Sequence, residues 1–154
     1  MIRDALSWIE HTALSTAIRR SDWDVMALES VHLLGLTLLF GSATIFALAA
    51  LRRKGLGGLT LATLTSQLKR LIIVGLVLMV ISGTLIAISI PQKYYLNSSF
   101  RAKMLLLVLA IVATTWLVRR AAAGGSATLP RVLAVVSWLL WLGVGIGGRL
   151  IGFL

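Results

Sequence analysis

The chain has 154 residues, 58% of them hydrophobic and 13% charged, with 15 lysines and arginines against 5 acids and a net charge of +10. A soluble domain of this length has too little interior to hide so much apolar surface, so the bilayer is the expected solvent. Zero cysteines exclude disulfides, thiolate zinc sites and iron–sulfur clusters, and the basic residues cluster beside apolar runs, which reads as membrane anchoring and not as nucleic-acid binding.

The first 24 residues contain Asp4, Glu10, Asp22 and Asp24 and have no uninterrupted apolar core, unlike a signal peptide. Within them, residues 4–19 read "DALSWIEHTALSTAIR". Leu6, Ile9, Ala13, Leu14, Ala17 and Ile18 recur at helical spacing while Asp4, Glu10, His11 and Arg19 fall elsewhere. That pattern predicts one amphipathic helix lying on the membrane surface with Trp8 as its anchor. Ser21 followed by Asp24 resembles a capping box, which starts the first span near there.

Four apolar segments of membrane-crossing length follow, over about 24–51, 71–90, 100–118 and 132–153. Gly55, Gly57 and Gly58 mark the first turn, "LTLATLTSQLKR" reads as an amphipathic lead-in to the second span, and Pro91 closes that span. "QKYYLNSS" is a short loop with tyrosines at headgroup level, and "AAAGGSATLP" joins the last two spans. Short connections make neighbours antiparallel. The expected fold is all-α: a single membrane domain over 1–154, an integral membrane four-helix up-down-up-down bundle with an N-terminal amphipathic interfacial helix.

Arg52, Arg53, Lys54, Lys69 and Arg70 form a basic stretch without acids, and the loop from Arg119 to Arg131 carries three arginines. Both should face the cytoplasm by the positive-inside rule, which puts both termini outside. All five acids lie at or before Glu29, on the other side.

Polar groups in lipid are expensive, so their depth is informative. Counted from those basic boundaries, His32, Arg149 and Lys103 stand at about 30, 27 and 24 Å, one layer in the outer half of the bundle. Glu29 sits one turn from His32 on the same face, and Ser89 and Tyr94 belong to the same zone. Each polar residue shares a helical stripe with small residues: His32 with Gly35, Arg149 with Gly145, Ser82 and Ser89 with Gly75. The spacing of Gly143 with Gly147, and of Gly148 with Gly152, permits close helix contact.

The segments "WIEHTALSTAIRRSDW", "ESVHLLGLTLLFG", "FRAKMLLLVLA" and "WLGVGIGGRLIGF" resemble a family of small, uncharacterised four-helix bacterial inner-membrane proteins, which implies the bacterial cytoplasmic membrane as location. More distantly, the chain is similar to the copper-resistance protein D family and to the haem-binding protoporphyrinogen oxidase membrane family. His32 matches their first-span histidine and Lys103 the lysine that opens a later span. The oxidase family's aromatic-glycine motif and the methionine and histidine clusters of a copper path are absent, so neither activity is carried over.

Three functions follow from these residues. In the first, the protein binds haem b or a quinone and takes part in redox chemistry or electron transfer: His32 is axial ligand or hydrogen-bond partner, Glu29 orients the ring or relays a proton, and Lys103, Arg101 and Arg149 neutralise acidic groups. Lys103, Met104 or His11 would supply a second axial ligand. The second is copper handling, with His32, Glu29 and His11 as ligands. The third is a non-catalytic accessory or oligomeric subunit whose polar layer binds headgroups or a partner. Expected partners are the lipid bilayer, a second copy or a membrane redox protein, with no nucleic acid.

Overall fold

The computed structural model describes residues 2–52, 56–123 and 128–151. They form seven helices: α1 (Ile2–Glu10), α2 (Ala13–Arg19), α3 (Asp22–Leu51), α4 (Leu61–Ser89), α5 (Pro91–Leu96), α6 (Ser98–Ala123) and α7 (Thr128–Leu150). α3, α4, α6 and α7 are each long and apolar enough to cross a membrane. They make an all-α bundle in which consecutive spans run antiparallel.

The expected single surface helix over 4–19 is two helices. Thr12 is the reason: its hydroxyl donates to the Ile9 carbonyl at 2.8 Å and accepts from the Ser15 amide at 3.3 Å. One side chain thus closes α1 and caps α2, the competition between side chain and backbone that ends helices at Ser and Thr. At the start of α3, Ser21 occupies the cap position with extended backbone, but its side chain makes no cap bond, so the anticipated capping box does not form. The lead-in to the second span is continuous with it, and α4 therefore begins at Leu61. Before it, Gly57 and Gly58 adopt φ of +60° and +79°, and Leu56 and Leu59 exchange backbone hydrogen bonds of 3.0 and 3.2 Å around them. Both central residues of this tight turn need positive φ, the conformation glycine takes without strain.

α3 packs most closely on α4 and α6 on α7. α3 and α7 join the two hairpins, while α4 and α6 touch lightly. The α3–α4 contact is a backbone crossing: a methyl group on Gly35 would lie 2.8 Å from the Gly75 carbonyl oxygen, and one on Gly75 would lie 2.9 Å from that of Gly35. This is the close approach that small residues permit between membrane helices. Alanines such as Ala43, Ala47, Ala50, Ala110 and Ala134 line the core around Phe46 and Trp141. The polar groups at that depth are paired across helices. Thr114 and Ser137 lie 2.7 Å apart, and the indoles of Trp141 and Trp138 donate to Thr114 and Thr44. Large side chains such as Ile73, Val77, Ile81, Leu105 and Val112 are exposed, a surface suited to lipid and not to water.

At the far end of the bundle from α1, Arg131 donates to the last-turn carbonyl of Ala50 at 3.0 Å. At the near end α2 closes α4. Ser15 donates to the carbonyls of Ile88 and Ser89, and Arg19 donates to Ser89 at 2.7 Å while pairing with Glu10 at 3.3 Å. These are orphan carbonyls at a helix C-terminus, where a cation is also favoured by the dipole. Pro91 opens α5 immediately after, where its missing N–H costs nothing.

Candidate functional site

Beneath that closure α3, α4 and α6 meet at His32, and α7 lies against Lys103. The residue is partly buried on α3, three positions before the Gly35 crossing. Its Nδ1 lies 3.1 Å from Ser82 Oγ on α4, and Ser82 Oγ lies 2.5 Å from the Leu78 carbonyl. Ser82 has one proton, and a carbonyl can only accept, so that proton goes to Leu78. The hydroxyl must then accept from the ring, which places a proton on Nδ1 and, in the neutral ring, leaves a lone pair on Nε2. Lys103 of α6 presents Nζ to that lone pair at 3.4 Å. The donors run in one direction: Lys103 to His32 to Ser82 to the α4 backbone.

Glycines make the room. A methyl group on Gly83 would lie 2.9 Å from Cε1 and 3.2 Å from Nδ1 of His32, so that side of the imidazole sits where any larger residue on α4 would intrude. On α7 a methyl on Gly148 would lie 3.0 Å from Lys103 Nζ and one on Gly147 3.4 Å from Lys103 Cβ. The Gly143–Gly147 spacing therefore serves α6, with Gly143 facing Leu106 and Gly147 facing Lys103. Gly152 lies outside the described residues. Lys103 has no carboxylate at ion-pair distance among the described residues, and its polar neighbour is the neutral ring.

The other residues singled out from the sequence take different places. Glu29 is exposed one turn before His32, and its charge acts on Tyr94 of α5. Tyr94 is half-buried with its ring 5.3 Å from that of Phe100, and burial first, then Glu29, pushes its phenol above the usual range. Arg101 and Arg149 are exposed, Arg149 one residue beyond Gly148. His11 is exposed at the α1–α2 break, its Nδ1 2.7 Å from the Ser7 carbonyl in its own turn, so it does not join His32. Among the described residues no three His, Asp or Glu side chains come together to hold a metal ion. Ser82, Gly83 and Gly148 were not singled out as site residues. Counted from Arg70, Ser82 and Gly83 stand only about 18–20 Å up, and nothing in the sequence says that α4 and not α6 or α7 lies against the ring.

These features define a four-span membrane protein whose histidine and lysine meet in the bundle interior. Residues 6–154 match a family of unknown function, DUF6644, and the chain belongs to it. No curated protein and no solved structure matches it.

Proposed function

We propose that the His32–Lys103 centre holds a membrane redox cofactor, haem b in the first instance, which His32 Nε2 would hold. The observation that carries this reading is the Leu78–Ser82–His32 arrangement, with Ser82 Oγ 3.1 Å from Nδ1. A ligating histidine characteristically gives its other ring N–H to a nearby acceptor, and here Ser82, itself tied to Leu78, is that acceptor. The donor chemistry fits: a neutral imidazole offers Nε2 inward, and its one competitor is the end of a flexible lysine. Lys103 would move from the lone pair to an acidic or oxygen-rich group of the ligand, with Arg101 and Arg149 near the rim for further acidic groups. When bound, the haem would supply one-electron chemistry. The chain's part is to fix the ring, exclude water and balance charge.

A quinone is the second reading, favoured by Lys103 having no carboxylate partner among the described residues: a quinone carbonyl would accept its hydrogen bond. For copper, His32 and His11 stand apart, which leaves a poorer ligand set. The basic stretches at the far end of the bundle support a cytoplasmic side there by the positive-inside rule, and with it the reading of a bacterial inner-membrane protein whose centre lies toward the outer leaflet and whose termini are both outside.

The optical spectrum of the full chain purified in detergent tests the proposal. A Soret band that disappears in His32→Ala, with the protein still inserted, supports haem. A colourless protein that yields quinone on solvent extraction supports the second reading, and absence of both overturns the cofactor assignment.

A further inference from the structure

The outward face of α6 carries a feature far from this centre. Ile111, Val112, Thr115, Trp116 and Arg119 line a shallow groove of about 400 Å³. Val112, Thr115, Trp116 and Arg119 recur at helical spacing away from the buried Ala113, Thr114, Leu117 and Ala121, while Ile111 is half-buried at the edge of the core. Val112, Thr115, Trp116 and Arg119 are exposed, with Trp116 at 47%. Arg119 stands sixteen residues from Lys103, about 24 Å along the helix, so the groove belongs to the opposite leaflet.

We propose that this groove binds one anionic phospholipid. Ile111 to Arg119 spans about 12 Å of helix, enough to run from upper acyl chain to headgroup. Aliphatic side chains face the chain, the indole lies at the interface where tryptophan is favoured, and the guanidinium meets the phosphate. Charge decides against a second copy. A twofold partner in the same membrane would set Arg119 against Arg119, with Arg120 beside it, at one depth. The chain has no acid after Glu29 to relieve that pair. An anionic headgroup supplies the missing charge.

The full chain in vesicles gives the test. Phosphatidylglycerol with brominated acyl chains, as a minor component in phosphatidylcholine, is compared with brominated phosphatidylcholine at the same fraction in phosphatidylglycerol-free vesicles. Subtracting the signal of Trp116→Phe isolates quenching of Trp116 from that of the other tryptophans. Local enrichment of the anionic lipid should be about fivefold, the effect of one cation near the surface, and Arg119→Gln should abolish it. Equal quenching by both lipids means ordinary annular lipid and overturns the site. Protection from both means that a second copy covers the face, and overturns it too.

Discussion

The imidazole of His32 and the ammonium of Lys103 face each other at 3.4 Å across the interior of the bundle, on helices related diagonally through α4 and α7. Two groups that both carry charge near neutral pH would repel there. A neutral ring with its lone pair turned toward the lysine makes the contact favourable. Ser82 sets that turn from the opposite side of the ring.

Ser82→Ala should therefore weaken ligand binding without unfolding the protein. The variant removes the acceptor of the Nδ1 proton and frees the ring to rotate or change tautomer. Loss of such a supporting partner typically costs on the order of 10–100-fold in affinity. Titrating ligand-free protein with haemin and following the Soret band measures it. Unchanged affinity would show that Ser82 packs against the ring and does not orient it.

Two glycines separate the fold from the site. In Gly35→Ala the new methyl would meet backbone, the Gly75 oxygen and the Met79 nitrogen at 2.8 Å, which no rotamer change can relieve. The α3–α4 hairpin must open, at about 1–3 kcal/mol. In Gly83→Ala the methyl meets the His32 ring, a side chain that can swing away. The expected result is reduced resistance to denaturing detergent for Gly35→Ala, and for Gly83→Ala near-normal stability with impaired ligand binding. Equal loss of stability in both would mean that the imidazole is wedged as firmly as backbone.

Tyr94 gives a pH readout just above the centre. Its pKa is raised, so the folded state holds the phenol proton more tightly than the unfolded chain does. The associated stability is intact below the ordinary tyrosine value near 10 and is lost as pH rises through the higher folded value. In a Tyr95→Phe background, tyrosinate absorbance should titrate above that of free tyrosine. Glu29→Gln should lower the midpoint only part of the way, because burial is the larger cause. A midpoint that ignores Glu29 would remove the acid from this neighbourhood.

Some of this was legible in the sequence. Apolar length gave the four spans, and counting rise per residue from the basic boundaries put His32 and Lys103 in one layer, where they touch. Depth is a one-dimensional quantity, however, and it says nothing of which helix faces which. Ser82 and Gly83 escaped for a further reason: α4 starts at Leu61, so counting from Arg70 sets them about 18–20 Å up, well short of His32. The two-helix form of residues 2–19 was hidden for a related reason. Thr12 fits an amphipathic helix by pattern, and only its bonds to Ile9 and Ser15 show that it ends one. The charge count likewise could not show that Arg19 and Ser15 cap a helix about seventy residues away.

That long-range cap yields the last prediction. α1 and α2 lie over the end of the bundle that holds the centre, and Ser15 and Arg19 fasten α2 to the carbonyls of Ile88 and Ser89. Arg19 makes three interactions, with Ser89 O, Glu10 O and the Glu10 carboxylate. The surface ion pair is worth little, but the charged hydrogen bond to a helix-end carbonyl is worth about 1–2 kcal/mol. Arg19→Gln with Ser15→Ala should thus leave the four spans inserted and release residues 2–19, seen as faster amide exchange confined to α1, α2 and the last turn of α4. Exchange around His32 should rise less, since its ring is held from α4 and α6 and not from α2. If the double variant instead loosens all four spans, the two N-terminal helices are part of the folding core and not a cover laid upon it.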